Sequence, residues 1–388
     1  MNSVKKADQI YLAGTYSRFP VVITGGKGSL LTDENGKEYI DFSSGIAVNT
    51  FGAADEEWVS AVSGQLRRIQ HTSNLYYTLP QTRLAELLCQ KTGMKKVFFS
   101  NSGAEANECA IKAFRKYAAE KKGSDYFWIV TLKNSFHGRT VTTLAATGQE
   151  VFHRDFQPLT EGFCYAEANN PEDLKRVVAF HKTAAIFLEC IQGEGGVLPL
   201  TREFVQTAAS LAKENDILLG IDEVQTGNGR TGKLYSYMHY GITPDIVTTA
   251  KGLGGGLPIG ATLFGEKTES VFTPGTHGST FGGNPAVCAG ALNVLQRMDD
   301  KLLQGVQQKS KRIFSALEGA DGIRSVSGMG LMIGVETEKD ASEVIEECLQ
   351  NGLLVIKAKN KVRLLPALNI PDALLDKGLE ILRKACEV

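Results

Sequence analysis

Short apolar runs alternate with amphipathic stretches of helical period between about residue 80 and residue 265. The apolar runs predict strands at residues 96–100, 126–132, 184–189, 217–222, 246–249 and 261–264. The amphipathic stretches predict helices at residues 81–92, 105–121, 171–180 and 201–215. Because consecutive parallel strands are joined by helical crossovers, this alternation predicts an α/β domain with a mostly parallel sheet and helices on both faces.

The two ends of the chain show different patterns. Short strands are predicted at residues 21–23, 29–32 and 38–42, with turns at Gly25-Gly26 and Asn35-Gly36. From about residue 290, helices and short strands alternate at residues 289–298, 330–336, 341–351, 362–365 and 371–387. These patterns predict a smaller α+β domain beside the parallel sheet.

Composition narrows the class of protein. A chain of 388 residues has room for two or three compact units, and its net charge of −1 gives no field that would attract nucleic acid or an anionic membrane. The seven cysteines form no CxxC or Cys/His metal spacing, which is typical of buried thiols in a reducing cytosol. Residues 1–8 lack the apolar core of a signal peptide, and no run reaches the roughly 20 residues of a membrane span. We therefore expect a cytoplasmic protein without a metal site.

Lys251 is the first candidate for chemistry. It ends the apolar run at 246–250, and four of the next five residues are glycines. A lysine at a strand end, with glycines that let a flat ligand approach the backbone, suits a Schiff base. Another predicted strand ends at Asp222, which could hold the ring nitrogen of pyridoxal phosphate (PLP). Each feature alone is more typical of a solvated loop lysine or a helix cap, and only their combination favours a cofactor site.

Other strand ends carry polar residues of complementary chemistry. Ser102, Gly103 and Ala104 open a predicted helix, whose free backbone N–H groups can hold a phosphate. Phe136 and Arg139 follow the strand at 126–132 and offer a flat ring and a carboxylate-binding guanidinium. An ordinary helix cap and a surface arginine are the alternatives for these two segments.

Four further segments complete the set of candidates. Glu194 lies in a glycine-rich turn, and Gln225 stands three residues after Asp222, where both can reach one planar ligand. Ser279 and Thr280 belong to a polar loop with hydroxyls suited to phosphate. Arg363 interrupts an apolar strand, and a buried arginine needs an anionic partner, either a substrate carboxylate or a structural salt bridge.

Together these segments resemble the class III (ω-type) aminotransferases of PLP fold type I, most closely those that act on acetylornithine. The resemblance covers nearly the whole chain and keeps the motifs in family order. The segments that carry it are GIAVN at 45–49, HTSN at 71–74, SNSGAEANE at 100–108, SFHGRT at 135–140, QGEGG at 192–196, IDEVQTGNGRTGK at 221–233, AKGLGGGLPIGA at 250–261, GSTFGGNP at 278–285 and VRLLP at 362–366.

The resemblance implies a fold and a domain organisation. The fold is a large domain around a mostly parallel seven-stranded sheet, with a small α+β domain formed by the N- and C-terminal segments. The expected bounds are residues 1–60 for the N-terminal arm and part of the small domain, 61–275 for the large PLP-binding domain, and 276–388 for the C-terminal small domain with an interface loop.

The resemblance also implies a role for each candidate in cofactor binding. Lys251 forms the Schiff base, Asp222 pairs with the pyridine nitrogen, Gln225 meets the ring hydroxyl, and Phe136 stacks on the ring. Ser102, Gly103 and Ala104 hold the phosphate. Thr280 reaches the phosphate in the neighbouring subunit, so the expected active unit is a homodimer.

The expected substrates are an amino donor and 2-oxoglutarate. Arg139 grips the carboxylate distant from the reacting amine, Arg363 grips the α-carboxylate of glutamate, and Glu194 pairs with Arg363 when glutamate is absent. Ser279 is a further expected substrate contact. The reaction implied is transamination of N2-acetyl-L-ornithine with 2-oxoglutarate by a ping-pong mechanism, in arginine biosynthesis.

Several alternatives remain open at this point. Succinylornithine, ornithine, 4-aminobutyrate and putrescine are rival amino donors, and an aminomutase or racemase of the same fold is a rival chemistry. A nucleotide-binding domain is disfavoured because no GxGxxG turn opens an early βαβ unit. A binding protein without activity is disfavoured because every expected catalytic position is filled. The chain departs from the family pattern at residues 50–56, near the expected substrate entrance, and at Cys190, where a proline is usual.

Overall fold

The structure, a computed structural model, describes residues 3–388. Its N-terminal elements are α1 (Ser3–Tyr11), β1 (Ile23–Lys27), β2 (Leu30–Asp33), β3 (Glu38–Asp41), the short helical turn α2 (Ser44–Ala47) and α3 (Glu56–Leu66). Then follow α4 (Leu79–Thr92), β4 (Lys96–Ser100), α5 (Gly103–Lys122), β5 (Trp128–Leu132), α6 (Val141–Ala146), α7 (Glu150–His153), β6 (Phe163–Ala166), α8 (Pro171–Phe180), β7 (Thr183–Leu188), β8 (Ile191–Gln192), β9 (Leu198–Pro199), α9 (Arg202–Glu214), β10 (Leu218–Asp222), β11 (Ile246–Thr249) and β12 (Gly260–Phe264).

The C-terminal elements complete the chain. They are α10 (Pro285–Gln296), α11 (Asp300–Leu317), β13 (Ile323–Met329), β14 (Met332–Thr337), α12 (Ala341–Gln350), β15 (Leu353–Leu354), β16 (Ile356–Ala358), β17 (Lys361–Leu364) and α13 (Asp372–Cys386). Short 3-10 helices lie at Ser236–His239 and Lys251–Leu253.

A seven-stranded sheet organises the middle of the chain, in the order β4-β12-β11-β10-β7-β5-β6. The strands from β11 to β6 are parallel to their neighbours, whereas β12 is antiparallel to both β11 and β4. The prediction of a mostly parallel seven-stranded sheet is therefore confirmed. Its parallel strands are joined by helices, so all their carboxyl ends lie along one edge.

Helices cover both faces of this sheet, because alternate residues of a buried strand point to opposite sides. On β7, Phe187 packs with Phe114 of α5, and their rings are 5.5 Å apart. The neighbouring Ile186 points to the other face and belongs to the same core cluster as Phe204 of α9. Strands β7, β10 and β11 in the middle of the sheet are buried along their whole length, since helices cover both of their faces.

The two ends of the chain meet in the smaller sheets. Strands β1, β2 and β3 form an antiparallel sheet, to which β15 from the C-terminal part adds in parallel beside β3. A second antiparallel sheet has the order β13-β14-β17-β16 and carries Arg363 on β17. This pairing agrees with the expected small domain of N- and C-terminal segments, while the expected bounds at residues 60 and 275 stay predictions.

One predicted turn is wrong. Gly25 and Gly26 lie inside β1, paired with Thr32 and Leu31, and the chain reverses at Gly28 instead. Gly28 has a φ of 59°, a left-handed conformation that glycine adopts without steric cost. Within residues 3–388, no helix combines the length and the apolar character needed to cross a bilayer.

Candidate active site

A cavity of about 470 Å³ opens at the carboxyl edge of the large sheet. Loops that follow β4, β5, β7, β10 and β11 contribute to its wall, as expected where parallel strands end. Eight of the predicted site residues line it, namely Ser102, Gly103, Ala104, Phe136, Arg139, Asp222, Gln225 and Lys251. The sequence motifs that are far apart in the chain therefore come together at one place.

Lys251 lies just after β11, where its backbone has a φ of 44°. A left-handed conformation is uncommon for a residue with a side chain and is often found at functional sites. Burial lowers the pKa of the Lys251 ammonium, and nearby Arg363 lowers it further, against the opposite effect of Glu194 and Asp222. Within residues 3–388 no side chain or carbonyl hydrogen-bonds to Nζ, so the amine is available to a ligand in the cavity.

Asp222 ends β10 and is only 3% exposed. Its Oδ1 accepts a hydrogen bond from the Val224 backbone N–H at 2.9 Å. Its Oδ2 lies 2.8 Å from Asn107 Nδ2 and 2.8 Å from His137 Nδ1. Asn107 also donates to the His137 carbonyl at 2.7 Å, and the His137 ring stacks on Phe187. Together these contacts fix the direction of the carboxylate.

The contacts of Asn107 and His137 with this carboxylate are not predicted by the sequence motifs. Asn107 lies four residues after Gly103, which places it one helical turn further along the cavity face of α5. His137 follows Phe136 directly, in the loop after β5. The spacing of Asn107 was the available signal, because a polar residue one turn inside an alanine-rich helix is rarely buried without a partner.

The start of α5 forms the proposed phosphate cradle. Ser102 is the N-cap, and its hydroxyl accepts a hydrogen bond from the Glu105 N–H at 3.1 Å. The amides of Gly103 and Ala104 lie in the first turn, where N–H groups have no partner within the helix. A side chain at Gly103 would place its Cβ 2.6 Å from Val224 Cγ1, so only glycine keeps this wall in place.

Phe136 and Arg139 lie beyond β5. The Phe136 N–H donates to Glu189 Oε2 at 2.9 Å, and burial, reinforced by the charge of Asp222, raises the pKa of the Glu189 carboxyl well above its usual range. The Arg139 guanidinium lies 4.1 Å from the centre of the Phe152 ring. No carboxylate within residues 3–388 pairs with Arg139, so its charge is available to an anionic ligand.

Arg363 and Glu194 form an ion pair next to the cavity. Arg363 Nη1 donates to Glu194 Oε1 at 2.6 Å and Nη2 donates to Glu194 Oε2 at 3.3 Å. Burial acts to raise the pKa of Glu194, but the charge and hydrogen bonds of Arg363 outweigh it and lower that pKa. Gln225 bridges the pair, because it accepts from Arg363 Nη1 at 2.9 Å and donates to Glu194 Oε1 at 3.2 Å.

The loop that carries Ser279 and Thr280 lies farther from the cavity. Ser279 Oγ accepts hydrogen bonds from Asn101 Nδ2 at 3.2 Å and from the Gly282 N–H at 3.0 Å, and Asn101 lines the cavity. Thr280 is exposed and does not line the cavity of its own chain. Ser279 therefore lies at the rim of the cavity, whereas Thr280 is exposed to solvent outside it.

These residues fit PLP, judged by the chemistry that each one presents. The amine of Lys251 has no hydrogen-bond partner among residues 3–388, the buried Asp222 carboxylate faces the cavity, and the amides at the start of α5 suit a phosphate. Phe136 supplies a flat apolar surface. The cavity thus offers a complementary group for the aldehyde, the ring nitrogen and the phosphate of the cofactor.

The chain matches the family of class-III aminotransferases over residues 11–386. It is 47% identical over 383 residues to an acetylornithine aminotransferase of Haemophilus ducreyi, with 98% of each chain covered. The structure is similar to an ornithine aminotransferase of Toxoplasma gondii, with a TM-score of 0.94, 31% identity, and 99% of this chain and 94% of that chain covered. It is also similar to an N-acetylornithine aminotransferase of Stenotrophomonas maltophilia, with a TM-score of 0.85, 35% identity, and 98% and 97% covered.

Proposed function

The chain belongs to the class-III aminotransferases, and we propose that it transfers the terminal amino group of N2-acetyl-L-ornithine to 2-oxoglutarate. The products are N-acetyl-L-glutamate 5-semialdehyde and L-glutamate, a step of arginine biosynthesis. One observation carries the proposal. A single cavity contains the amine of Lys251 and the guanidinium of Arg139, which no carboxylate within residues 3–388 pairs with, and a second arginine, Arg363, lies next to this cavity and hydrogen-bonds to Gln225. The Haemophilus ducreyi relative supports the choice of amine.

The proposed cofactor is PLP, which when bound draws electrons away from the carbon that carries the reacting amine. Asp222 would hold the ring nitrogen protonated, since an ionised carboxylate stabilises a neighbouring positive charge. Asn107 and His137 support this role because both contact the same carboxylate oxygen. Phe136 would stack on the ring, Gln225 would donate to its hydroxyl, and Ser102, Gly103 and Ala104 would bind the phosphate.

Lys251 is the proposed acid–base residue. Its lowered pKa raises the fraction of neutral amine near neutral pH, and a neutral amine can take a proton from the substrate carbon. The resulting ammonium at Nζ would hold that proton within the cavity and could donate it again. Burial of the amine is therefore the physical reason why an ordinary lysine can act as a base in this cavity.

Two substrates would use the two arginines differently. N-acetylornithine presents one carboxylate, distant from its reacting amine, and we assign it to Arg139. Glutamate and 2-oxoglutarate present a second carboxylate beside the reacting carbon, and we assign it to Arg363. Glu194 neutralises Arg363 when that carboxylate is absent, which keeps a buried guanidinium paired in both half-reactions.

A half-reaction experiment tests this proposal. The visible spectrum of the PLP-loaded protein is followed while N-acetylornithine, succinylornithine, ornithine, 4-aminobutyrate, putrescine and glutamate are added one at a time. We expect N-acetylornithine and glutamate each to bleach the band without a second substrate, as a ping-pong mechanism requires. A better response to another amine would replace the proposed donor, and no response to any amine would contradict transamination.

The proposed active unit is a homodimer in which Thr280 reaches the neighbouring active site. The support is the exposure of large apolar side chains near that loop, since Leu75 is 87%, Tyr77 100% and Phe281 60% exposed. Exposed apolar groups of this size are typical of an interface. Thr280 lies beside Phe281 and away from its own cavity, which is the position required of a residue that serves a second copy.

A further inference from the structure

Gln225 connects both members of the Arg363–Glu194 ion pair. We propose that Gln225 is a positioning residue that holds the Arg363 guanidinium toward the cavity when Glu194 moves away, and so selects substrates with a second carboxylate. This inference rests on the proposed role of Arg363 as a carboxylate-binding group. It assigns to Gln225 a role in specificity in addition to the proposed contact with the ring hydroxyl of the cofactor.

The chemistry of the neighbours fixes the orientation of the Gln225 amide. Its Oε1 accepts from Arg363 Nη1 at 2.9 Å and its Nε2 donates to Glu194 Oε1 at 3.2 Å. The flipped amide would place an NH₂ group against the guanidinium and an oxygen against the carboxylate, which are two repulsive contacts. The carbonyl of Gln225 therefore faces Arg363 as long as Arg363 stays in place.

Arg363 has few other anchors. Its side chain is 3% exposed, whereas that of Glu194 is 28% exposed, so Glu194 is the partner with room to move. The Nε of Arg363 is buried without a hydrogen-bond partner. Apart from Glu194, the Gln225 carbonyl is the only acceptor that the Arg363 side chain contacts within residues 3–388. Departure of Glu194 thus leaves Gln225 as the group that keeps the guanidinium in position.

The backbone beside Gln225 preserves the space for this contact. A Cβ at Gly193 would lie 2.4 Å from Gln225 Oε1, so a side chain there would displace the amide. Gly193 directly precedes Glu194. The same turn therefore carries the Glu194 carboxylate and leaves room for the Gln225 amide, which stays next to Arg363 when that carboxylate moves away. Hydrogen bonds to a charged group are stronger than neutral ones, and losing this one should weaken carboxylate binding at Arg363 about tenfold or more.

Binding of two unreactive acids tests the inference. Glutarate has two carboxylates at the spacing of glutamate, whereas pentanoate has one, and calorimetry on the PLP-loaded protein gives both affinities. We expect Gln225→Met, a substitution of similar volume, to weaken glutarate binding about tenfold or more and to leave pentanoate binding unchanged. Gln225→Asn keeps both amide atoms one carbon short of their partners, and it should show the same selective loss.

The controls separate this inference from the proposed function. Gln149 is a buried glutamine that donates to the Ser135 carbonyl at 3.0 Å and touches neither Arg363 nor Glu194, so Gln149→Met should bind both acids normally. If Arg363→Ala still prefers glutarate to pentanoate, the proposed carboxylate site is wrong. If Arg363→Ala loses that preference while Gln225→Met and Gln225→Asn keep it, the inference about Gln225 alone is overturned.

Discussion

Lys251 shows how burial sets the chemistry of a single side chain. Burial lowers its pKa, Arg363 acts in the same direction, and the carboxyls of Glu194, Asp222 and Glu189 act in the opposite direction. The pKa of Lys251 is lowered overall because removing the ammonium from water costs more free energy than its attraction to the carboxylates provides. A lysine with a lowered pKa loses its proton at a lower pH than an ordinary lysine does, and only its neutral form attacks an aldehyde.

We therefore predict the pH dependence of cofactor capture by the cofactor-free protein. The rate of PLP binding to Lys251 should rise with pH and reach half its limit below 10.5, the ordinary pKa of a lysine. Stopped-flow absorbance in the visible range measures this rate, and free Nα-acetyl-lysine amide in the same buffers gives the reference curve. A midpoint at or above that reference would contradict the lowered pKa, and Lys251→Ala should show no such phase.

The motifs predicted which residues face the cavity better than they predicted how those residues are held. Lys251, Asp222 and Gly103 lie where their strand-end positions indicated, because the carboxyl ends of parallel strands meet at one edge. The contacts of Asn107 and His137 with Asp222 join residues far apart in the chain, and nothing in local spacing gives the direction of a side chain. Those contacts depend on how α5, which carries Asn107, and the loop after β5, which carries His137, pack around the end of β10.

At the scale of the element, Gly103 lies where the first turn of α5 packs against Val224 in the wall of the cavity. A methyl group at this position would lie 2.6 Å from Val224 Cγ1 and 3.0 Å from its Cγ2. Valine has a stiff, β-branched side chain, so the backbone after Asp222 must move to make room. We predict that Gly103→Ala lowers the free energy of unfolding by about 1–3 kcal/mol, the typical cost of overpacking, and weakens PLP binding.

Gly64 offers the matched control for that substitution. It lies on the exposed side of α3, and an added Cβ would meet nothing within 4 Å. Gly64→Ala should therefore raise the free energy of unfolding by up to about 1 kcal/mol through the better helix propensity of alanine. Denaturant unfolding and a PLP titration measure both variants. If both variants change the free energy of unfolding and the affinity for PLP by the same amount, the predicted clash between a side chain at position 103 and Val224 is wrong.

The accuracy of the predicted elements follows their burial. The strand at 246–249 was predicted at its observed bounds, and all of its residues are buried between the helices on the two faces of the sheet. Strand β6 was not predicted, since it is a short edge strand and only Ala166 in it is fully buried. Helix α11 was also not predicted, and only Val306, Ile313 and Leu317 of its 18 residues are fully buried.

At the scale of the whole molecule, the cavity around Lys251 is lined by residues of one chain, whereas Thr280 is exposed and does not line that cavity. The loop with Thr280 and Phe281 is held from within the chain, since Asn74 donates to the carbonyls of Ser279 and Gly282 at 3.1 Å and 2.8 Å. Gln81 in turn donates to Asn74 at 2.8 Å. A polar network that fixes the base of a loop while its apolar tip stays exposed is suited to contact with another chain.

The proposed homodimer makes a sharp prediction for mixed dimers. If Thr280 serves the neighbouring site, a dimer of Lys251→Ala with Thr280→Ala has one intact site, formed by Lys251 of one copy and Thr280 of the other. Random pairing of equal amounts makes half the dimers mixed, so about one quarter of all sites should be intact. Co-expressed and co-purified variants should then regain about that share of wild-type turnover, above the activity of either variant alone.

Mixing Lys251→Ala with Asp222→Asn gives the matched control, because both residues line the cavity of the same chain. No mixed dimer of that pair contains an intact site, and turnover should not recover. If Thr280 acts within its own chain, the first mixture also gains nothing, since the copy that keeps Lys251 is the copy that lacks Thr280. Recovery in the first mixture and its absence in the second therefore requires that each active site is built from two copies of the chain.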